Sequence, residues 1–161
     1  MATENKNLSQ YNKNELPNAR PYTFGIVVSQ WNDHITHNLR DGAIATLLDL
    51  GAEQENILQM AVPGSFELIF GSQQMQRNCD VVIAIGSVIR GETSHFDFVC
   101  QGVTQGIATL NMSGNVPVIF CVLTDDNEQQ SIDRSGGAHG NKGVEAAVAA
   151  VQMVELANKG R

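Results

Sequence analysis

The sequence lacks the features that mark membrane, exported and nucleic-acid-binding proteins. No apolar run approaches the ~20 residues that cross a bilayer, and the polar residues 1–21 contain no apolar signal core. Lys and Arg number 10 against 17 Asp and Glu, and the resulting formal net charge of -7 repels polyanions. We therefore expect neither a membrane nor a nucleic acid as a partner.

Cysteine is also scarce, and its positions suggest no redox or metal chemistry. Cys79, Cys100 and Cys121 contain no CxxC pair, and an odd number of thiols cannot be fully paired within one chain. No His or second Cys lies at metal-ligand spacing, so we expect no metal site and free thiols that behave as small hydrophobic side chains. This pattern favours a reducing cytoplasm.

The apolar content is sufficient for one core. The chain has 161 residues, of which 42% are hydrophobic and 17% charged, as is typical of a single globular domain. Residues 1–21 are polar, contain two prolines and show no periodicity, so we predict an N-terminal arm or loosely attached segment there. Residues 22–161 are predicted to form the one domain.

Short apolar runs alternate with stretches of helical spacing along that domain. The runs, predicted to be strands buried on both faces, are 24–28, 57–62, 81–89 and 116–123. The predicted helices are one that Gly51 ends, one that begins near Ser65, one that a Ser94–Asp97 capping box opens, and two at 128–135 and 142–158. This alternation predicts an α/β fold with a central parallel four-stranded sheet, helices on both faces and ligands at the carboxyl ends of the strands.

The turns after the first two strands carry groups that suit a planar, oxygen-rich ligand. Trp31, the only tryptophan, offers a flat face for a heterocycle, although a ring packed over the core is an equally open alternative. The turn at 63–64 precedes Ser65 and Glu67 and leaves backbone N–H groups facing the ligand edge. Simple capping of the next helix by these two residues is the favoured alternative.

The turn after the third strand carries His95 in the first turn of a predicted helix. The helix dipole disfavours an imidazolium there, and a neutral imidazole can both accept and donate a proton. The alternative is a histidine whose nitrogen binds Asp97 or a carbonyl group. His34 and His37 share a helix face but lack a carboxylate or Cys that would complete a metal set, so we predict that both are surface residues.

A glycine-rich stretch at 136–143 lies between Arg134 and Lys142 and leads into the last helix. Its backbone can approach an anion and the helix adds N–H groups, so we interpret it as a phosphate site. The spacing is not that of a Walker loop, and no GxGxxG follows the first strand, so ATP, GTP and NAD have little support. The four turns together predict a site for a planar ring and a phosphorylated small molecule.

Four segments, FGIVVSQWN, VPGSFE, AIGSVIRGETSHFDF and RSGGAHGNKG, resemble in order those of the lumazine synthase family, over residues 24–155. The resemblance implies a flavodoxin-like three-layer sandwich and a transferase of riboflavin biosynthesis that needs no cofactor. The implied reaction condenses 5-amino-6-(D-ribitylamino)uracil with 3,4-dihydroxy-2-butanone 4-phosphate to 6,7-dimethyl-8-ribityllumazine, with release of phosphate and water. The alternative is a flavin- or lumazine-binding flavodoxin-like carrier or shell protein without catalysis.

The resemblance also implies roles for individual residues. His95 matches the proton donor and acceptor. Residues that match the site for the ribitylaminouracil are Trp31, Ser65, Phe66, Glu67, Ser87, Val88, Ile89 and, from a neighbouring subunit, Phe120. Residues that match the site for the butanone phosphate are Glu92, Thr93 and, from the same neighbour, Arg134. Lys142 and Glu145 match a supporting ion pair.

Assembly is a further implication of the resemblance. It implies a homopentamer with active sites between subunits, and some family members build an icosahedral shell of pentamers that associates with riboflavin synthase. The short loop at 136–140 favours the shell, whereas the arm at 1–21 either pairs with a neighbour's sheet edge or obstructs higher assembly. Two positions depart from the common pattern, Ala138 where many members carry Lys and Val144 where an aromatic residue is frequent.

Overall fold

The sheet has the predicted number of strands, and they run in the predicted parallel direction. The structure is a computed structural model and describes residues 7–159. Its strands are β1 (Phe24–Ser29), β2 (Ile57–Val62), β3 (Val81–Ile89) and β4 (Val118–Asp125). All neighbouring pairs are parallel, in the order β2-β1-β3-β4. The predicted four-stranded parallel sheet is confirmed, and β4 begins two positions late because Pro117, which has no N–H, precedes it.

Helices cover both faces of this sheet, as predicted. They are α1 (Asp33–Asp49), α2 (Leu68–Met75), α3 (His95–Ser113), α4 (Glu128–Arg134) and α5 (Lys142–Asn158). Two cores result, one between the sheet and α1 with α5, the other between the sheet and α2 with α3. In β3, Ile83 belongs to the first core and Ala84 to the second, because alternate side chains of a strand point to opposite faces. The α/β three-layer sandwich is therefore confirmed.

Burial of the strands depends on their place in the sheet. Every side chain of β1 is buried, and β3 is buried from Val81 to Ser87. The prediction of burial on both faces is wrong for the other two strands: Gln59 and Ala61 are exposed in β2, and Phe120 is exposed in β4. The reason is that β2 and β4 are the outermost strands, so the helix layers cover them incompletely.

Two helices begin differently from the prediction. Ser94 precedes α3 but makes no side-chain capping bond, and the carboxylate of Asp97 accepts a hydrogen bond from Arg90 instead. The expected capping box is therefore absent. The second helix starts at Leu68, not near Ser65, because the residues before it turn against the end of β3. The end of α1 follows the prediction, with Gly51 at a φ of 101° that favours glycine.

The described part of the predicted arm, 7–21, is attached to the domain. The Tyr11 hydroxyl donates a 2.8 Å hydrogen bond to Asp49 Oδ2, and the Ala19 N–H donates one of 3.0 Å to the carbonyl of Leu50. Ala19 is fully buried. This part is therefore held by specific contacts and is not loosely attached, while the remainder of the predicted arm lies outside the described residues.

The thiols are unpaired, as expected for small hydrophobic side chains. Burial raises the pKa of Cys79 to about 11 and that of Cys121 to about 12, so both are protonated near neutral pH. Over residues 7–159, no cluster of three or more His, Cys, Asp or Glu is placed to hold a metal ion. Within the same range, no helix combines the length and apolar character needed to span a membrane.

Candidate active site

The carboxyl ends of β1, β2 and β3 open into one pocket of about 630 Å³. That volume lies in the range of sites for small organic ligands. The residues of the predicted site that line this pocket are Trp31, Ser65, Phe66, Glu67, Ser87, Val88, Ile89, Thr93 and His95. They come from three separate connections that the sheet topology brings together at one edge.

The β1–α1 turn presents its aromatic ring to the pocket. Trp31 is 73% exposed, so its ring is not folded over the core and one face is open to a ligand. The next residue, Asn32, has a left-handed φ of 57°, and its side-chain Nδ2 donates a 3.0 Å hydrogen bond to the carbonyl of Ser87. This bond ties the turn that carries Trp31 to the end of β3.

The β2–α2 turn packs tightly against the sheet. Ser65 is buried, and a Cβ on Gly86 would lie 2.6 Å from the Ser65 Oγ, so only glycine permits this approach. Ser65 does not cap α2, because Glu67 occupies the cap position without a side-chain bond. Phe66 is 53% exposed and rests on the glycine surface of α3 at Gly102. The turn therefore adds one buried hydroxyl, one aromatic face and one exposed carboxylate to the pocket.

His95 begins α3 and faces the same pocket. In the described part of the chain, the backbone N–H of His95 donates a hydrogen bond to Thr93 Oγ1 at 3.4 Å. The Asp97 carboxylate is bound by Arg90 Nη1 at 3.3 Å, so the alternative of an imidazole fixed by Asp97 does not occur. The ring is exposed and can meet a bound molecule.

Arg90 lies between the pocket residues Ile89 and Gly91 but does not line the pocket. Its Nε donates a 3.0 Å hydrogen bond to Asp126, and its guanidinium carbon lies 4.1 Å from the centroid of the Phe96 ring. The hydrogen bond to Asp126 raises the pKa of Arg90, so the cation is permanent.

The other residues of the predicted site are not among those that line this pocket. Phe120 is on the edge strand β4 and is 36% exposed, and Arg134 ends α4, where its Nη1 donates a 2.9 Å hydrogen bond to the carbonyl of Gln130. Lys142 and Glu145 form a 2.8 Å ion pair in the first turn of α5. Glu92 is exposed in the loop between β3 and α3 but is not part of the pocket lining.

The glycine-rich stretch forms a small hairpin of β5 (Ser135–Gly137) and β6 (Gly140–Asn141). Two backbone N–H groups of this stretch already have hydrogen-bond partners. That of His139 donates to the carbonyl of Asp133 at 2.8 Å, and that of Asn141 donates to Ser9 Oγ at 2.9 Å. These two N–H groups are therefore not free to bind an anion, and the interpretation of the stretch as a phosphate site stays a prediction. Glycine here also serves the positive φ of hairpin residues, 118° at Gly136.

His34 and His37 are exposed on α1, as predicted. The Nε2 of His34 lies 2.8 Å from Glu128 Oε1, a surface contact between α1 and α4. Neither residue takes part in the pocket lining.

Comparison with known proteins identifies the family. A model of the family described as 6,7-dimethyl-8-ribityllumazine synthase matches residues 21–158. The chain belongs to this family. The membership confirms the activity inferred from the resemblance, that of a lumazine synthase in riboflavin biosynthesis.

Individual lumazine synthases match over nearly the whole chain. The one from Flavobacterium psychrophilum is 61% identical over 158 residues, which cover 97% of this chain and 84% of the relative. The one from Flavobacterium johnsoniae is 63% identical over 158 residues, with 97% and 83% covered. The one from Phocaeicola vulgatus is 54% identical over 161 residues, with 99% and 96% covered.

The pocket of this lumazine synthase chain contains residues that the sequence reasoning missed. They are Asn32, Gly64, Gly91, Phe96, Phe98 and Val99. Helical spacing could have found two of them, because Phe98 and Val99 follow His95 at positions three and four, on the same helix face. Phe98 is 70% exposed and adds a third aromatic side chain to the pocket mouth beside Trp31 and Phe66.

Proposed function

We propose that this pocket is where the chain condenses 5-amino-6-(D-ribitylamino)uracil with 3,4-dihydroxy-2-butanone 4-phosphate. The observation that carries the proposal is the convergence of Trp31, the end of β3 and His95 on one pocket from distant parts of the sequence. An aromatic face, strand-end backbone groups and an imidazole are the parts that a planar, reactive substrate needs. Two further cavities, one beside His34 and one beside His37, do not combine them.

The uracil side of the pocket is formed by the turns after β1, β2 and β3. Trp31 stacks on the pyrimidine ring, an interaction of about 1 kcal/mol beyond the burial of its area. Backbone groups of residues 87–89 hydrogen-bond the polar edge of the ring. Ser65, Phe66 and Glu67 bind the ribityl chain, whose hydroxyl groups match the Ser65 hydroxyl and the Glu67 carboxylate.

The phosphate side is formed by the loop between β3 and α3. Glu92 and Thr93 contact the butanone phosphate, and the N-terminus of α3 contributes the positive end of its dipole. Arg134 of a neighbouring subunit supplies the cation, because the chain's own Arg134 lies at the end of α4 and outside the pocket lining. Phe120 of the same neighbour closes the ring site.

The reaction then follows from position and proton transfer. The amine of the uracil attacks the ketone carbon, a C–N bond forms, and water leaves to give an imine. Phosphate is eliminated with its C–O bond electrons, and attack of the second nitrogen closes the ring with loss of water. His95 accepts and donates protons in these steps, a contribution of about 10²- to 10⁴-fold. Orientation of two substrates in one pocket supplies much of the remainder.

This arrangement requires more than one copy of the chain. We infer a homopentamer with its sites between adjacent subunits, active in the cytoplasm, with Lys142 and Glu145 as a supporting ion pair. The short loop at 136–140 favours an icosahedral shell over a single pentamer. Light scattering of the purified protein distinguishes the two by their size. Co-purification with riboflavin synthase tests the proposed association in the shell state.

Turnover is the direct test of the activity. Purified protein mixed with both substrates is expected to produce the absorbance of 6,7-dimethyl-8-ribityllumazine. Absence of product at micromolar protein would refute catalysis and favour a carrier or shell that only binds flavin or lumazine.

Mixed assemblies test the shared site. The variants His95→Ala and Arg134→Ala are each expected to be nearly inactive, but joint refolding should leave about a quarter of the sites with both wild-type residues. Recovered activity therefore indicates that the two residues come from different subunits. The control is a mixture of His95→Ala and Trp31→Ala, which both act from the same chain, so its activity should not exceed the mean of the activities of the two variants alone.

A further inference from the structure

The loop on the phosphate side of the pocket has few contacts of its own. Residues 91–94 are all exposed, and a Cβ added to Gly91 would meet no atom within 4 Å. Ser94 makes no side-chain bond to α3, so the helix that carries His95 begins without the cap expected from the sequence. A contact at the base of the loop would therefore decide how firmly it is held.

Arg90 provides that contact at the base of the loop. Its backbone N–H continues the sheet ladder and donates to the carbonyl of Asp125 at 2.9 Å. Its guanidinium donates to Asp97 in the first turn of α3 at 3.3 Å and to Asp126 after β4 at 3.0 Å. The same group lies over the ring of Phe96, a buried pocket residue, at 4.1 Å. One side chain thus joins β3, α3 and the β4–α4 connection.

We propose that Arg90 is a positioning residue for the phosphate-bearing substrate. Arg90 holds the 91–94 loop and the start of α3 in a fixed position relative to the rest of the pocket. The planar guanidinium suits this role because its donors have a rigid geometry that can engage two carboxylates and an aromatic face together. The inference rests on the proposed function, since that function places the phosphate at Glu92 and Thr93, beside His95.

We expect the contacts of Arg90 to contribute to the geometry of the site and not to the stability of the fold. Arg90, Asp97 and Asp126 are 44%, 48% and 70% exposed in their side chains, and exposed ion pairs contribute little to folding. A misplaced loop, in contrast, costs binding and rate because the reacting groups must be aligned closely. A loss of phosphate-substrate affinity without a loss of thermal stability is therefore the signature of positioning.

The test compares Arg90→Gln with Arg20→Gln in the full-length protein. Arg20 is the matched control because its Nε also makes a 3.0 Å bond to an exposed carboxylate, that of Glu53, in the N-terminal segment. We expect Arg90→Gln to raise KM for the butanone phosphate about tenfold and KM for the uracil less than about twofold. The control should change neither value. Equal changes in both KM values together with a lower melting temperature would indicate a purely structural role and overturn the proposal.

The conservative variant Arg90→Lys separates charge from geometry. Lysine keeps the cation but lacks the planar fork, so its KM for the butanone phosphate should lie near that of Arg90→Gln. A wild-type value in Arg90→Lys would mean that charge alone suffices and would overturn the bridging role.

Amide hydrogen exchange provides a readout that does not depend on turnover. Exchange in residues 91–96 should be faster in Arg90→Gln than in the wild type and unchanged in Arg20→Gln. Unchanged exchange in Arg90→Gln would overturn the proposal even if the wild type is active. If the wild type is inactive but exchange is still faster in Arg90→Gln, the contact role of Arg90 in the loop stands and the proposed function is refuted. The two failures are therefore distinguishable.

Discussion

The two halves of the proposed site reach the substrate by different routes. Trp31 follows β1, Ser87 lies near the end of β3 and His95 follows β3; these two strands are neighbours in the sheet, and the three residues meet in the pocket of one chain. Phe120 and Arg134 lie on the edge strand and at the end of α4, outside that pocket lining. The first half is thus a consequence of the fold of a single chain, whereas the second half, as proposed, would be completed by assembly.

This difference separates the effects that mutations should have. Changes in the first half act within a chain, on stacking or proton transfer, and need not alter assembly. Changes in the second half act across a subunit boundary, so their effect can be restored by a wild-type neighbour. The following predictions use this contrast, beginning with the largest expected effect.

Removal of the imidazole should have the largest effect of any single change in the first half. His95→Ala is expected to lower kcat by about 10²- to 10⁴-fold and to leave residual activity, because substrate positioning survives without proton transfer. Single-turnover measurements of lumazine formation check the value. His37→Ala, an exposed histidine of α1, is the control. An unchanged rate would mean that His95 is only structural.

Removal of the cation should have the largest effect in the second half. Arg134→Ala is expected to raise KM for the butanone phosphate by about a hundredfold, because a charged hydrogen-bond partner of the phosphate is lost. Light scattering should show an unchanged assembly. Arg40→Ala, which removes an exposed ion pair to Asp41 on α1, should retain wild-type kinetics. Wild-type turnover in Arg134→Ala would contradict the second half of the site.

Loss of the aromatic face should have a smaller effect, confined to one substrate. Trp31→Ala is expected to raise KM for the ribitylaminouracil about fivefold to tenfold, since stacking contributes about 1 kcal/mol. Trp31→Phe should restore most of the affinity. The comparison variant is Phe70→Ala, which removes an aromatic ring that is 67% exposed on α2 and outside the pocket lining. A change in KM for the phosphate substrate alone would contradict the stacking role.

The smallest effect should come from a contact remote from both halves. Hydrogen bonds from Tyr11 and Lys13 hold the pKa of Asp49 below its ordinary value. The contribution of this contact is therefore present above the ordinary aspartate pKa and is lost as the pH falls through the lowered value. The protection of the amides of residues 11–19 against hydrogen exchange, corrected for the intrinsic rate at each pH, should fall in acid in the wild type, and Asp49→Asn should show less of this pH dependence. Turnover near neutral pH should be the same in both proteins.

The sequence predicted the fold more completely than the site. The bounds of β2, β3 and α5 follow directly from it, because buried parallel strands are continuous apolar runs and the last helix has a clear periodicity. The start of α2 and the cap of α3 were wrong, because tertiary contacts of Ser65 with β3 and of Asp97 with Arg90 replace the local ones.

Within the site, the sequence predicted the residues that follow strands better than those on helices. Trp31 and Ser87 lie at strand ends, whose position is set by the sheet. Phe96 was missed because its spacing from Val103 is that of a core residue, and it is indeed buried, whereas the exposed Phe98 could have been found from its spacing to His95. In the proposed site, the positions of Phe120 and Arg134 relative to a ligand depend on a second chain, which the pattern of one sequence does not contain.

The backbone of Asn32 has a consequence for how the sequence can vary. A left-handed φ of 57° is tolerated by glycine, asparagine and aspartate and is strained for other residues. Of these three, asparagine alone carries the amide that donates to the carbonyl of Ser87. The range of residues that this position can accept is therefore as narrow as that of a core position. The restriction comes from backbone conformation and hydrogen bonding and not from packing.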